Sequence, residues 1–261
     1  MSDGSVIDVN TPSTARIYDF LLDGKDNFAA DREAAARLLE ASPGAKAMAQ
    51  GNRRFMVRAV RVLAEAGVRQ FIDLGTGIPT SPNTHEVARR IHPDARVVYV
   101  DHDPIVMAHN RALRARPEGV VAIEGDIRRP HEILDHPEVR ELIDFDRPVG
   151  VLCLAVLHFV SDAENPDGVL AALRARMSPG SHLVISTTSS EGFSAEEVEV
   201  ITGSYTGVSS GLTLHSRERV ERFFDGLELL EPGVVDIFTW RADEPLVAGG
   251  KLLAGVARKN A

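Results

Sequence analysis

The chain has 261 residues, 44% of them hydrophobic, and a formal net charge of −9, which suits one large folded domain or two small ones and excludes an intrinsically disordered chain. Lysine occurs only at positions 25, 46, 251 and 259, so no Lys-rich run suits a nucleic-acid backbone or an anionic membrane, and neither partner is expected. Cys153 is the single cysteine, which excludes an intrachain disulfide and a CxxC metal site.

The first ten residues lack the basic-then-apolar pattern of a secretory signal. No apolar run reaches the ~18 residues of a membrane span, and a cytoplasmic protein is expected. The spacing of Ile17, Phe20 and Leu21 predicts a helix over 13–23 that stops at Gly24. Asn27 is the expected cap of a second helix that ends at Ser42-Pro43-Gly44. A third helix is expected from about Lys46 to Ala66.

Near residue 70 the texture changes. Short β-rich apolar runs occur at Phe71–Leu74, Val97–Val100, Val120–Ile123, Val149–Leu154 and Leu183–Ser186. Helical stretches lie between and beside them, near 83–92, 104–115, 131–142 and 167–176. Such alternation predicts βαβ units and a parallel sheet buried on both faces. Asp103-Pro104, the Ser194–Glu197 box and Ser216 are helix-start signals. Val234–Phe238 and Lys251–Ala257 read as two last strands, a closing hairpin, for about seven in all.

Three motifs carry chemistry. Phe71–Thr80 runs from a strand through Asp73 into Gly75-Thr76-Gly77, where glycines let the backbone approach a ligand. A dinucleotide fingerprint needs a third glycine where Thr80 stands, and Asp73 would repel a pyrophosphate. An NAD-dependent oxidoreductase is therefore the weaker alternative. Asp101 ends the second strand, where a carboxylate can accept from both hydroxyls of a ribose, and His102 follows it. Asp126 follows the third strand, placed to accept from the exocyclic amine of a base while the N–H of Ile127 serves a ring nitrogen.

At these residues the sequence resembles the class I S-adenosylmethionine-dependent methyltransferases. Val151–Val160 resembles their fourth motif, and Met177–Ser186 the Pro-Gly turn into their fifth strand. Pro79 departs from the pattern, standing where a third glycine is usual. Ala15–Glu33 resembles the opening of a bacterial, largely actinomycete family called S-adenosyl methyltransferase, formerly a domain of unknown function. The resemblance implies a Rossmann-like α/β sandwich with a mostly parallel seven-stranded sheet and an antiparallel last strand. It implies a core over 70–261 and an N-terminal helical cap over 1–69 that is no independent domain. The cofactor implied is S-adenosyl-L-methionine, with S-adenosylhomocysteine as product.

The resemblance places Asp73, Gly75, Thr76 and Gly77 at the methionine part of the cofactor. Asp101 would lie at the ribose, Asp126 and Ile127 at the adenine, and Ala155 would help close the pocket; His102 is a further cofactor-binding candidate, set against a plain loop residue. His158 is the candidate base, set against a histidine that only packs beside the cofactor. Arg16, Tyr18, Asn27 and His215 are candidates near the acceptor, set against helix packing and surface positions. No metal is expected, because Asp135 stands where a His131-Glu132 zinc motif needs histidine. The expected function is methyl transfer to a small-molecule acceptor; the alternative is a non-catalytic protein that binds the same cofactor.

Overall fold

The computed structural model describes residues 8–114, 118–243 and 251–260, with residues 111–114 described as backbone only. Three helices come first, α1 (Thr14–Leu21), α2 (Ala29–Ala41) and α3 (Ala45–Glu65). Strands and helices then alternate: β1 (Gln70–Leu74), α4 (Thr84–Arg89), β2 (Arg96–Asp101), α5 (Pro104–Arg114), β3 (Val120–Glu124), α6 (Pro130–Leu134), α7 (Pro137–Leu142), β4 (Gly150–Leu154), α8 (Pro166–Arg176) and β5 (His182–Thr188). The C-terminal part holds α9 (Ala195–Gly203), α10 (Arg217–Arg222), β6 (Glu228–Leu229), β7 (Val235–Asp236) and β8 (Leu252–Arg258).

The sheet has eight strands in the order β3-β2-β1-β4-β5-β8-β6, with β7 also paired to β8. β1 to β5 are mutually parallel, and β8 runs antiparallel to β5, β6 and β7. Chain order reverses beside β1, where β2 lies on one flank and β4 on the other. That reversal opens a crevice at the carboxyl ends of the two strands.

Alternate strand residues feed two cores. Ile72, Leu74, Val98 and Val100 join Ile133, Val139, Leu170 and Phe223 on one face. Phe71, Val97 and Tyr99 join Phe55, Met56, Leu63 and Trp240 on the other. Both faces exclude water, which is why these strands read as unbroken apolar runs. A third cluster joins Ile17, Leu21, Ala35, Leu38 and Ala49, with Tyr205 and Val208 packed on it. α3 therefore works twice: Ala45 and Ala49 hold the N-terminal helices, while Phe55 to Ala64 cover the sheet.

Four expectations are corrected. Asn27 does not cap α2; Phe28 holds that position, and its N–H donates to Asp31 Oδ2 at 2.8 Å. The Asn27 amide turns back instead to Asp19 Oδ2 and the Gly24 carbonyl. The helix expected over 131–142 is two, because Pro137 cannot continue the hydrogen-bond ladder of α6 and starts α7. The strand expected over 234–238 is only Val235–Asp236, and a further two-residue strand, β6, pairs with the end of β8. Residues 244–250 of the expected closing hairpin, and residue 115 at the end of the helix expected over 104–115, lie outside the described residues.

Candidate functional site

A cleft of about 1480 Å³, its open mouth included, lies over the carboxyl ends of β1 to β5. α1, the first half of α3 and residues 201–212 form its roof. Three hydrogen bonds among the described residues hold the N-terminal segment across it. The Ser13 hydroxyl donates to Asp103 Oδ2, Ser209 N–H donates to the Pro12 carbonyl at 3.0 Å, and Thr14 N–H donates to Ser209 Oγ at 3.4 Å.

The glycine turn after β1 is built for close approach. Gly75 and Gly77 have φ of +67° and +66°, which side chains rarely tolerate. A Cβ on Gly75 would also lie 2.4 Å from Val156 Cγ2. Ala155, just past β4, holds φ of +52° without being glycine, a costly conformation that persists only where surrounding bonds impose it. Those bonds are visible: Ala155 N–H donates to the Ser186 carbonyl and to Ser186 Oγ, each at 3.0 Å. Ser186 Oγ donates to Asn52 Oδ1 at 2.6 Å, Asn52 Nδ2 donates to Tyr18 Oη at 3.0 Å, and Tyr18 donates to the Ala49 carbonyl. One chain of bonds thus runs from α1 through α3 to the ends of β5 and β4.

Three carboxylates leave three adjacent strands. Asp73 accepts from the Thr84 hydroxyl at 2.7 Å. Burial pushes its carboxyl up to about 6, against the opposing pull of Thr84 and Arg53. Asp101 accepts from Gly77 N–H at 2.8 Å and Asp103 N–H at 3.0 Å. Burial raises its pKa as well, although both N–H groups favour the anion. Asp126 is grasped by Arg128, whose Nε lies 2.8 Å from one oxygen and 2.9 Å from the other. Burial works to raise the Asp126 pKa, but these bonds outweigh it and hold the group below its usual range. Arg128 also reaches Glu164 at 2.6 Å.

Asp73, Gly75, Thr76, Gly77, Asp101, His102, Asp126, Ile127, Ala155, His158 and Tyr18 all line this one cleft. His102 is half-exposed, with Nδ1 3.8 Å from Asp101 Oδ1. His158 is buried, and burial, followed by the nearby His215, pushes its ring down to about 3. Its Nδ1 faces the N–H of Thr188 at 3.4 Å.

Arg16, Asn27 and His215 are absent from the described lining. Arg16 is buried, pairs with the fully buried Asp31 at 3.1 Å, and donates to the Asp8 and Thr11 carbonyls. Asp31 also accepts from Ser13 N–H at 2.9 Å, so this pair anchors the strap that reaches Asp103. His215 is neither exposed nor in the cleft: it is buried edge-on to Phe223, with ring centroids 5.2 Å apart.

Several lining residues carry no motif. Asn52 and Arg53 lie on α3; the Arg53 guanidinium donates to the Thr80 and Pro82 carbonyls and holds the loop after β1. Thr188, Tyr205 and Leu212 come from distant segments, while Phe159 lies in the run after β4 that resembles the fourth motif. The only sequence signal for Asn52 was a polar residue on the buried stripe of α3.

A family model described as S-adenosyl methyltransferase matches residues 2–260. The chain is 42% identical to a candidate methyltransferase of Thermobifida fusca YX, covering 98% of this chain and 97% of that one with a TM-score of 0.91. It is 40% identical to a DUF574 family protein of Streptomyces avermitilis MA-4680, covering 97% and 99% with a TM-score of 0.91. A shorter likeness, 32% identity over 82 residues, joins it to ornithine lipid N-methyltransferase of Singulisphaera acidiphila and spans 31% of this chain and 42% of that enzyme.

Proposed function

Because the chain belongs to the S-adenosyl methyltransferase family, whose cofactor is S-adenosylmethionine, we propose that it transfers a methyl group from that cofactor to a small-molecule acceptor. The observation that carries the site reading is the convergence of Asp73, Asp101 and Asp126, from three adjacent strands, on one cleft. The donor set suits the cofactor. Two of the carboxylates are buried with raised pKa values, and a ligand bearing positive charge relieves the cost of keeping them ionised.

In this reading Asp73 and the Gly75–Gly77 turn hold the methionine part, where the Gly75 approach leaves no room for a side chain. Asp101 receives the ribose hydroxyls, and Asp126 with Ile127 the adenine. When bound, the cofactor supplies an activated methyl group on a sulfonium. The protein's share is alignment and exclusion of water. The Tyr18–Asn52 chain ties the roof to Ser186 and, through it, to Ala155 on the floor of the cleft, and the strap tied to Asp103 and residues 201–212 complete the roof. That roof admits a small molecule far more readily than a folded macromolecule.

No helix among the described residues is long and apolar enough to cross a membrane.

Isothermal titration with S-adenosylhomocysteine, with NAD as the control, tests the reading. Binding of the first and not the second is expected. Failure to bind S-adenosylhomocysteine would falsify it. Release of S-adenosylhomocysteine in the presence of an acceptor separates an enzyme from a protein that only binds the cofactor.

A further inference from the structure

The lining of the cleft divides by charge. Its Asp and Arg side chains among the described residues are Arg53, Asp73, Asp101, Asp103, Asp126 and Arg128. Five of these leave the ends of β1, β2 and β3, and the sixth, Arg53, is bound to carbonyls of the loop after β1. The opposite wall comes from α1, α2, the first half of α3, the ends of β4 and β5 and residues 201–212. Among the described lining residues of that wall there is no Asp, Glu or Lys, and its one arginine, Arg53 of α3, is taken up by the Thr80 and Pro82 carbonyls.

What the second wall does offer is rings, alkyl groups and uncharged polar atoms. Tyr18, Leu38, Met48, Phe159, Tyr205 and Leu212 line it. Phe159 sits between His158 and Tyr205, with ring centroids 4.3 and 5.6 Å away. These rings pack on one another, His158 to Phe159 edge-on at 67° and Phe159 to Tyr205 tilted at 43°, and do not stand apart as the walls of a cation cage do. Burial keeps the His158 ring neutral and raises the Tyr205 phenol above its usual pKa.

We propose that this second wall is the acceptor subsite and that it selects a neutral, flat, largely apolar molecule whose polar group is uncharged. The inference rests on the methyltransferase reading, which assigns the charged wall to the cofactor. A ring laid on this surface gains apolar burial and edge-to-face contact. An ammonium or carboxylate brought there loses its hydration, and the one charge on that wall, the Arg53 guanidinium, is already held by the Thr80 and Pro82 carbonyls. The amine acceptor that the ornithine lipid N-methyltransferase likeness would suggest is therefore disfavoured.

The test uses three probes with one ring system: 2-naphthol, 2-naphthylmethylammonium and 2-naphthoate. S-adenosylhomocysteine is titrated first, and its failure to bind would sink the methyltransferase reading itself. Each probe is then titrated by calorimetry into protein saturated with S-adenosylhomocysteine. Naphthol is expected to bind at least about tenfold more tightly than either charged analogue. Leu212→Asp places a carboxylate on the same wall and should move the preference about tenfold or more toward the ammonium. The proposal is overturned if either charged probe matches naphthol on the unaltered protein, or if no probe binds. It is equally overturned if Leu212→Asp still binds S-adenosylhomocysteine but leaves the ranking unchanged.

Discussion

The two walls of the cleft are built by different means. The charged wall is built from neighbouring βα units: each carboxylate follows its own strand, Asp101 accepts from Asp103 two residues on and from Gly77 in the loop of the adjacent strand, and Asp73 accepts from Thr84 at the start of the next helix. The neutral wall is assembled from distant pieces, with Tyr18 joined through Asn52 to Ser186 and Tyr205 packed on the N-terminal cluster. A local wall can be held constant by a few residues while the assembled wall changes. That division suits one shared cofactor and a variable acceptor.

The strongest way to break this comparison is at Asp101. If the charged wall holds the cofactor, Asp101→Ala should lower S-adenosylhomocysteine affinity by on the order of 100-fold or more, since hydrogen bonds to a charged group contribute ~1.5–3 kcal/mol each. An affinity within a few-fold of the unaltered protein, measured by calorimetry, would mean that the ribose lies elsewhere.

Next in size is the strap that ties the walls together. Arg16 and Asp31 are both less than a tenth exposed, so Arg16→Ala leaves a buried carboxylate with only backbone N–H partners. A loss of about 3 kcal/mol is expected, read as a shift of the urea midpoint. Cofactor affinity should fall with it, because Asp31 anchors Ser13, which in turn reaches Asp103. An unchanged midpoint would show that the ion pair is dispensable and the roof independent of it.

A smaller effect sharpens the role of Asp73. Its carboxyl titrates at about 6, and a cationic ligand favours the anion. Affinity for S-adenosylhomocysteine, with its free ammonium, should therefore be full above that pH and decline as the carboxyl protonates below it. Thr84 donates to the anion and lowers the pKa, so Thr84→Val should move the decline to higher pH. A decline that moves to lower pH, or stays put, contradicts this account.

The same contrast governs what could be read from sequence. β1 to β5 were legible because strands buried on both faces are continuous apolar runs. Asp73, Asp101 and Asp126 were legible because each closes such a run. β6 was not, since Glu228 and Leu229 are exposed and too few to show a period. β7 stops at Asp236 because the next residues turn toward α3, where Arg58 donates to the Ile237 and Trp240 carbonyls. Asn52, Tyr205 and Leu212 carry no motif; tertiary packing alone brings them together. Arg16 is expected near the acceptor because it lies in the N-terminal segment that the resemblance sets over that site, whereas its guanidinium is spent on Asp31.

His158 gives the smallest expected effect and the finest test. Thr188 N–H faces its Nδ1 at 3.4 Å, so the neutral ring accepts at Nδ1 and carries its hydrogen at Nε2. Such a ring has no free basic nitrogen, and burial holds it down to about 3. With cofactor saturating, turnover should therefore show no ionisation belonging to His158 between about pH 5 and 8. His158→Asn should cost less than about tenfold, well short of the ~10²–10⁴-fold that a general base contributes. Stability carries the opposite sign of evidence for the same burial. An unfolded chain binds a proton at this histidine below its usual pKa of 6.5. The folded protein does not until about 3, so stability should fall as pH drops through that window. His158→Asn should flatten the decline, read from urea midpoints across the same range. A hundredfold loss of turnover together with a vanished ionisation limb would instead make His158 a working base and end the description of its wall as neutral.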